Sequence, residues 1–324
     1  MQRPIGWGFL GPGRIATRFV NDLVKLEDAR RVAIGSRDHA RAQAFARQYD
    51  FARAYGSYEE LLHDPEVEVA YVATPHPFHA EHTRLCLEHG KAVLCEKPFA
   101  VNARQAREMV ACARANGVFL MEAMWTRFGP VMTQVRRWLQ EGAIGEVRLL
   151  VADFGFRSAV NPEGRLFNLN LAGGALLDVG VYVVSLASMI YGGGPQSVQA
   201  LAHLGETGVD EQTAMTFGYA NGAQAQLHCA VRLNTVQQAH IYGAEGAIHI
   251  PSFWNATQAT LTASGRDPAQ VMGEMGFHFE AAEVMACLRA GHTESAIMPL
   301  DESVAIVETL DQVRALIGLR YPMD

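Results

Sequence analysis

Lysine is nearly absent from this chain. Of its 27 basic residues only Lys25, Lys91 and Lys97 are lysine, and the other 24 are arginine. An ammonium shifts its pKa readily and a guanidinium does not, so a lysine kept in such a background marks a place where that chemistry is wanted. Cysteine is sparse too: Cys86, Cys95, Cys112, Cys229 and Cys287 are odd in number and share no paired spacing. That excludes a disulfide framework and fits reduced thiols in a cytoplasmic protein. No apolar run approaches the ~20 residues that span a bilayer, so no membrane-crossing helix and no membrane partner is expected. The opening Met1-Gln2-Arg3-Pro4-Ile5 leads toward a strand without a charged-then-apolar leader. There is no basic stripe, and a net charge of −7 argues against nucleic acid. Internal repeats and low-complexity linkers are missing as well.

What is present is an ordinary globular composition, 49% hydrophobic and 19% charged, in 324 residues that suffice for two domains with cores. The charge is uneven: residues 1–121 balance at +2 and residues 122–324 at −9. A small phosphorylated ligand is favoured by the first part.

Over residues 1–121 strands and helices alternate. Ile5 to Leu10 reads as a strand, and Ile15 to Lys25 as a helix with Ile15, Phe19, Val20 and Leu23 on one face. Arg31 to Gly35, Val67 to Ala73, Ala92 to Cys95 and Val118 to Met121 read as further strands. Helices are expected from about Ala40, from about His79 and after Asn102, with a short one capped by Ser57 and Glu60. Such alternation defines an α/β domain with a doubly wound parallel sheet covered on both faces. Beyond residue 122 the rhythm changes. A helix begins near Pro130, a strand runs from Gly145 to about Phe156, and a helix covers Leu176 to Ile190. Residues 197–262 are mostly strands, with Asn221-Gly222 as a tight hairpin turn, and two helices close the chain. This half is expected to be an α+β domain with a large open, mostly antiparallel sheet.

Gly11-Pro12-Gly13-Arg14-Ile15-Ala16 is a Gly-x-Gly-x-x-Ala turn between a strand and a helix. Its glycines let the backbone approach a pyrophosphate resting on the helix N-terminus, which puts Gly11, Gly13, Arg14 and Ile15 at a dinucleotide. The second strand ends in Ser36-Arg37-Asp38, with Arg41 one turn on. An NAD site usually carries an acid directly at that strand end. A hydroxyl from Ser36 and guanidinium groups from Arg37 and Arg41 favour a 2′-phosphate instead, hence NADP, with NAD possible if Asp38 takes the ribose. Two further strands end at Thr74-Pro75-His76 and Glu96-Lys97-Pro98. Ligands bind outside the carboxyl ends of such strands, so Thr74, His76, Glu96 and Lys97 are expected at the cofactor. His79 is expected near the nicotinamide and His82 on the helix surface. The spacing of His76, His79 and His82 hints at metal, but nothing completes a ligand set and none is expected. In "GGALLDVGVY", residues 173–182, a glycine pair leads into a helix on which Asp178 and Tyr182 share one face.

The glycine turn, "EKP" and "GGALLDVGVY" resemble the glucose-fructose oxidoreductase / inositol dehydrogenase (Gfo/Idh/MocA) family. "SRDHARAQAFA", "YGSYEELLHDPEVEVAYVATPHPFH", "AVLCEKPFAVNA" and "FLMEAMWTRF" narrow the resemblance to its dimeric dihydrodiol dehydrogenase / NADP-dependent D-xylose dehydrogenase branch. It runs over nearly the whole chain. It implies an NADP-binding Rossmann domain over 1–121 and a substrate-binding and dimerisation domain over 122–324. The implied reaction moves a hydride between the nicotinamide and a hydroxyl carbon of a D-xylose-like aldose or a trans-dihydrodiol, without metal. Lys97 and Tyr182 are implied at the chemistry, Asp178 beside them, and Arg37 and Arg41 on the NADP phosphate. Tyr182 is the favoured proton acceptor, its phenolate favoured by the Lys97 ammonium, and Asp178 orients Lys97 or a second hydroxyl. Pocket walls are implied at Trp125, Phe154, Trp254 and Phe279, and a homodimer through the open sheet. Many relatives elsewhere in the family have histidine where Tyr182 stands. Two alternatives stay open: another sugar or inositol dehydrogenase of the family, and a non-catalytic NADP-sensing regulator.

Overall fold

Strand β1 (Ile5–Leu10) is buried along its whole length, with neighbours on both sides. In the computed structural model, which describes residues 3–324, it is followed by α1 (Arg14–Leu23), β2 (Ala29–Gly35), α2 (His39–Tyr49), β3 (Arg53–Tyr55), α3 (Tyr58–Leu62) and β4 (Val69–Val72). Then come α4 (His79–Glu88), β5 (Ala92–Glu96), α5 (Ala103–Asn116) and β6 (Leu120–Ala123). The strand order is β3-β2-β1-β4-β5-β6, and every pairing is parallel. The order reverses beside β1, where β1 pairs with both β2 and β4, so the carboxyl ends of these strands flank the crevice that such sheets offer to ligands. Helix α1 turns Ala16, Phe19, Val20 and Leu23 inward. Phe19 stacks on Tyr71 with ring centres 4.0 Å apart and meets Phe9 edge-on at 5.7 Å.

The second sheet is built otherwise. Helix α6 (Pro130–Gln140) starts on its proline and leads to β7 (Val147–Gly155). After an irregular stretch comes a π-helical turn, Leu176–Gly180, continuing as α7 (Val181–Tyr191). Strands β8 (Ser197–Leu204), β9 (Asp210–Gly218), β10 (Gln224–Ala230), β11 (Ala239–Gly243), β12 (Gly246–Ile250), β13 (Gln258–Ala263) and β14 (Ala269–Met272) follow. Helices α8 (His278–Ala290) and α9 (Leu300–Ile317) close the chain. The order is β14-β13-β12-β11-β7-β10-β9-β8, antiparallel except between β7 and β10. At the expected hairpin, Gly222 takes φ +78° and Asn221 accepts the Ala223 N–H at 3.1 Å, which returns β10 along β9. Helix α7 packs on β7 and β10, covering one face of this sheet. The other face stays open, with Leu201 82% and Tyr242 41% exposed.

Three findings differ from the sequence reading. Strand β3 was not anticipated; at three residues it is too short to show a period. The helical stretch Leu169–Tyr191 is long and apolar enough by composition to cross a membrane, contrary to the expectation of no such run. Its most apolar 18-residue window is 89% buried inside the protein, as a core helix is. The chain also divides differently. One unit comprises residues to Ala100, Arg104–Trp125 and Gly276–Ser303; the other comprises Val101–Ala103, Thr126–Met275 and Val304–Asp324. A single cut between 121 and 122 therefore leaves α8 on the wrong side, because it packs with α1 in the first unit.

Candidate active site

The first unit places its candidate residues at strand ends. Gly11 has φ +97°, a conformation that favours glycine, and a Cβ there would stand 3.4 Å from the Ala73 carbonyl. Helix α1 opens with Gly13 as N-cap, without a side-chain cap or an acid in the first turn. Its first N–H groups are left to an anion, as a pyrophosphate requires. At the end of β2, buried Ser36 accepts the Asp38 N–H at 3.2 Å. The Asp38 carboxylate is occupied as the N-cap of α2, accepting from Arg41 N at 3.2 Å. Exposed Arg37 lies 5.9 Å from the Phe78 ring centre. Burial raises the pKa of the Tyr58 hydroxyl while Arg37 and Arg41 oppose the shift, so two guanidinium groups converge beside one ring.

On β5 and β6 the acids are buried. Glu96 accepts a short hydrogen bond from the Tyr71 hydroxyl. Burial pushes its pKa up, against Tyr71, Lys97 and Arg18, which pull it down. Glu122 on β6 accepts the Phe99 N–H at 3.1 Å, fixing the chain just after Lys97-Pro98, a cis peptide. Lys97 itself is half-buried. His79 differs from expectation. Its ring nitrogens lie 2.8 Å from the carbonyl oxygens of Pro98 and Thr74, so it ties the two strand ends together and keeps no nitrogen for a nicotinamide. Burial lowers its pKa to about 4 despite both carbonyls, and the neutral ring donates its one N–H to only one of them at a time. His82 is not a surface group either: it is half-buried, with Nδ1 3.0 Å from the Thr74 hydroxyl. His76 is buried, its ring 5.7 Å from that of His79.

The second unit brings together Tyr182, Phe154 and Trp254. Phe154 and Trp254 stack at 5.0 Å and 12°, and the Tyr182 ring lies 5.3 Å from Phe154. Trp254 is oriented by its N–H, which donates to Gln237 at 2.8 Å. Asp178 lies on the π-helical turn and Tyr182 on α7, so their spacing is not that of a uniform α-helix. The Asp178 carboxylate accepts from Arg165 at 2.7 Å. The other two expected pocket walls lie in the first unit. There Trp125 packs on Phe277 at 4.7 Å, and Phe279 lies against His278 at 4.1 Å.

Two polar residues escaped the sequence reading. Arg165 sits in an irregular loop with no periodicity to mark it. Glu280, wholly buried on α8, has no hydrogen-bond partner for either carboxyl oxygen among the described residues. Burial pushes its pKa well up, and Glu96, Asp22 and Glu122 push it further. A signal was there: Glu280 falls on the apolar period of Phe277, Ala281 and Val284.

The parallel sheet of the first unit, with its glycine turn at the start of α1, is that of a nicotinamide-dependent oxidoreductase. The chain belongs to the Gfo/Idh/MocA oxidoreductase family. Residues 5–124 match its NAD-binding Rossmann fold and residues 132–249 its C-terminal domain. The chain is 42% identical over 330 residues to trans-1,2-dihydrobenzene-1,2-diol dehydrogenase of Mus musculus, and 38% identical to that of Homo sapiens, covering 98% of each chain. Among solved structures it resembles aldose-aldose oxidoreductase from Caulobacter crescentus in fold (TM-score 0.89, 24% identity, 98% of both chains). A 3-ketoreductase from Actinomadura kijaniata, solved with NADP and TDP-benzene, is 26% identical with a TM-score of 0.84, covering 97% of this chain and 98% of that one.

Proposed function

We propose that the protein is an NADP-dependent dehydrogenase oxidising a hydroxyl carbon of a trans-dihydrodiol or a D-xylose-like aldose. The observation that carries this reading is the stacked Phe154–Trp254 wall beside Tyr182, with the Asp178–Arg165 pair on the adjoining turn. Flat aromatic faces suit the apolar face of a six-membered ring, and a few polar groups then select its hydroxyls. Gly11, Gly13, Arg14 and Ile15 would hold the pyrophosphate. Ser36, Arg37 and Arg41 would hold the 2′-phosphate, a choice supported by the use of Asp38 as a helix cap. Thr74, His76 and Glu96 would line the remainder. NADP, when bound, supplies the hydride acceptor. Tyr182 takes the proton of the reacting hydroxyl, and Lys97 contributes an aimed positive charge to the oxygen as it loses that proton. Asp178, held by Arg165, accepts from a second hydroxyl. The open face of the second sheet pairs with its copy in a homodimer.

Turnover of a panel of trans-dihydrodiols, pentoses, hexoses and inositols with NADP tests the substrate class, and Tyr182→Phe tests the chemistry. The variant should keep NADP binding and lose roughly 10²–10⁴-fold in turnover, the usual span of general acid–base catalysis. A raised KM with a modest loss of kcat would transfer proton acceptance to Lys97. Tight NADP binding with no turnover of any panel member would make the protein a cofactor-sensing regulator.

A further inference from the structure

The turn that carries Asp178 and leads into Tyr182 on α7 is held at its start by one buried acid. Asp210, the first residue of β9, is wholly buried. Its Oδ2 accepts from the Leu176 N–H and from the Thr213 hydroxyl, each at 2.8 Å. Leu176 is the first residue of the π-helical turn, so Asp210 binds one of the N–H groups that such a start leaves over. The other oxygen, Oδ1, has no hydrogen-bond partner among the described residues. It lies so close to Gly174 that a Cβ there would come within 2.2 Å, and Gly174 has φ +119°. Gly174 in turn donates to the Leu166 carbonyl at 2.9 Å, and a Cβ on Gly173 would lie 2.8 Å from the Arg165 carbonyl. One side of the glycine pair therefore rests on Asp210, and the other on the loop that delivers Arg165 to Asp178. The Tyr321 hydroxyl closes the cluster by donating to the Gly173 carbonyl at 2.8 Å.

We propose that Asp210 is a positioning residue for the reaction, acting through Gly173–Gly174 to set Asp178, Arg165 and Tyr182, and that its ionisation controls turnover. The inference rests on the assignment of Tyr182 and Asp178 to the chemistry. An ionised carboxylate makes a charge-assisted bond to the Leu176 N–H, stronger than the neutral acid can make, and complements the helix start. The groups that face Asp210 are Thr213 on its own strand, Cys229 on β10 and Tyr321 near the C-terminus. The ion pair of Arg314 with Asp324 lies beyond Tyr321. Burial holds both Cys229 and Tyr321 well above their ordinary pKa values, so both stay neutral near pH 7. Asp210 is raised to about 7 by burial, which exceeds the help of Thr213 and the backbone N–H groups. It is the member of this cluster that changes charge there.

The test uses the full-length enzyme with NADP and the panel substrate of highest turnover. Wild-type kcat should rise with pH through about 7. Asp210→Asn keeps an oxygen for Leu176 and Thr213 but cannot ionise. It should lack that rise and, above it, turn over about tenfold slower, having lost the charged form of the bond. Because the folded-state pKa of Asp210 exceeds its ordinary value of 3.8, ionisation weakens the fold as pH rises toward 7, so the variant should melt no lower than wild type above that pH. Loss of turnover with preserved melting separates positioning from mere support. Thr213→Val removes a group that holds the pKa down and should move the rise to higher pH. A rise that persists in Asp210→Asn, or stays in place in Thr213→Val, overturns the proposal. Full turnover in Tyr182→Phe would instead overturn the assignment on which it rests.

Discussion

Arg37 stands exposed at the end of β2, beside Tyr58 and Phe78, with the neighbouring acid already spent on a helix cap. If it reads the 2′-phosphate, Arg37→Ala removes a charged hydrogen bond worth roughly 1.5–3 kcal/mol. NADP affinity should then fall by about one to two orders of magnitude while NAD affinity hardly changes, as cofactor titrations by fluorescence can measure. Equal weakening of both cofactors would show that Arg37 supports its loop and does not select the phosphate. At this scale the sequence raises candidates where a residue type is rare or misplaced. A lysine among arginines pointed to Lys97, and Ser36-Arg37 stood where an acid is usual. It says less where the type is versatile. His79 was expected near the nicotinamide, and its contacts with the Pro98 and Thr74 carbonyls are not marked by any local pattern.

The strained glycine pair ahead of α7 gives the clearest prediction for an element. Gly174→Ala forces a side chain into a left-handed backbone and against the Asp210 carboxylate, 2.2 Å away. Such strain costs about 1–3 kcal/mol, so the urea midpoint should fall and turnover with it. A midpoint equal to wild type would mean that Asp210 can swing clear. Regular elements were legible because their burial has a period: Ala16, Phe19, Val20 and Leu23 announce α1, and the alternation along β9 and β10 announces a sheet with one open face. The π-helical turn was not legible, since Leu176–Gly180 is apolar throughout apart from Asp178 and reads equally well as ordinary α-helix. Its first N–H is bound by Asp210, thirty-odd residues away in sequence, a contact that no local pattern carries.

For the whole molecule, the second sheet presents an open face that its composition leaves nearly uncharged. Leu201, Thr216, Gln226, Val151 and His240 lie in neighbouring strands there. Asp153, on the same side of β7, spends its carboxylate on the Gln237 N–H at 2.7 Å. A paired copy would cover a surface of the standard size for stable interfaces, roughly 1,600 Å² in total. Sedimentation should give twice the chain mass for wild type, and the mass of one chain for the double variant Leu201→Arg, Tyr242→Arg. A wild-type monomer at micromolar concentration would remove the dimer from the proposal. The chain's path has a consequence of another kind. Because α8 packs on α1 while residues 126–275 build the other unit, the cofactor unit is not one uninterrupted stretch of gene. A piece ending at Trp125 would lack Phe277, the neighbour of Trp125, Phe19 and Arg18, and would leave that aromatic surface bare to water. Exchange of the whole second unit between relatives, whether in the laboratory or by recombination, therefore needs three crossovers: near Trp125, near Gly276 and near Ser303.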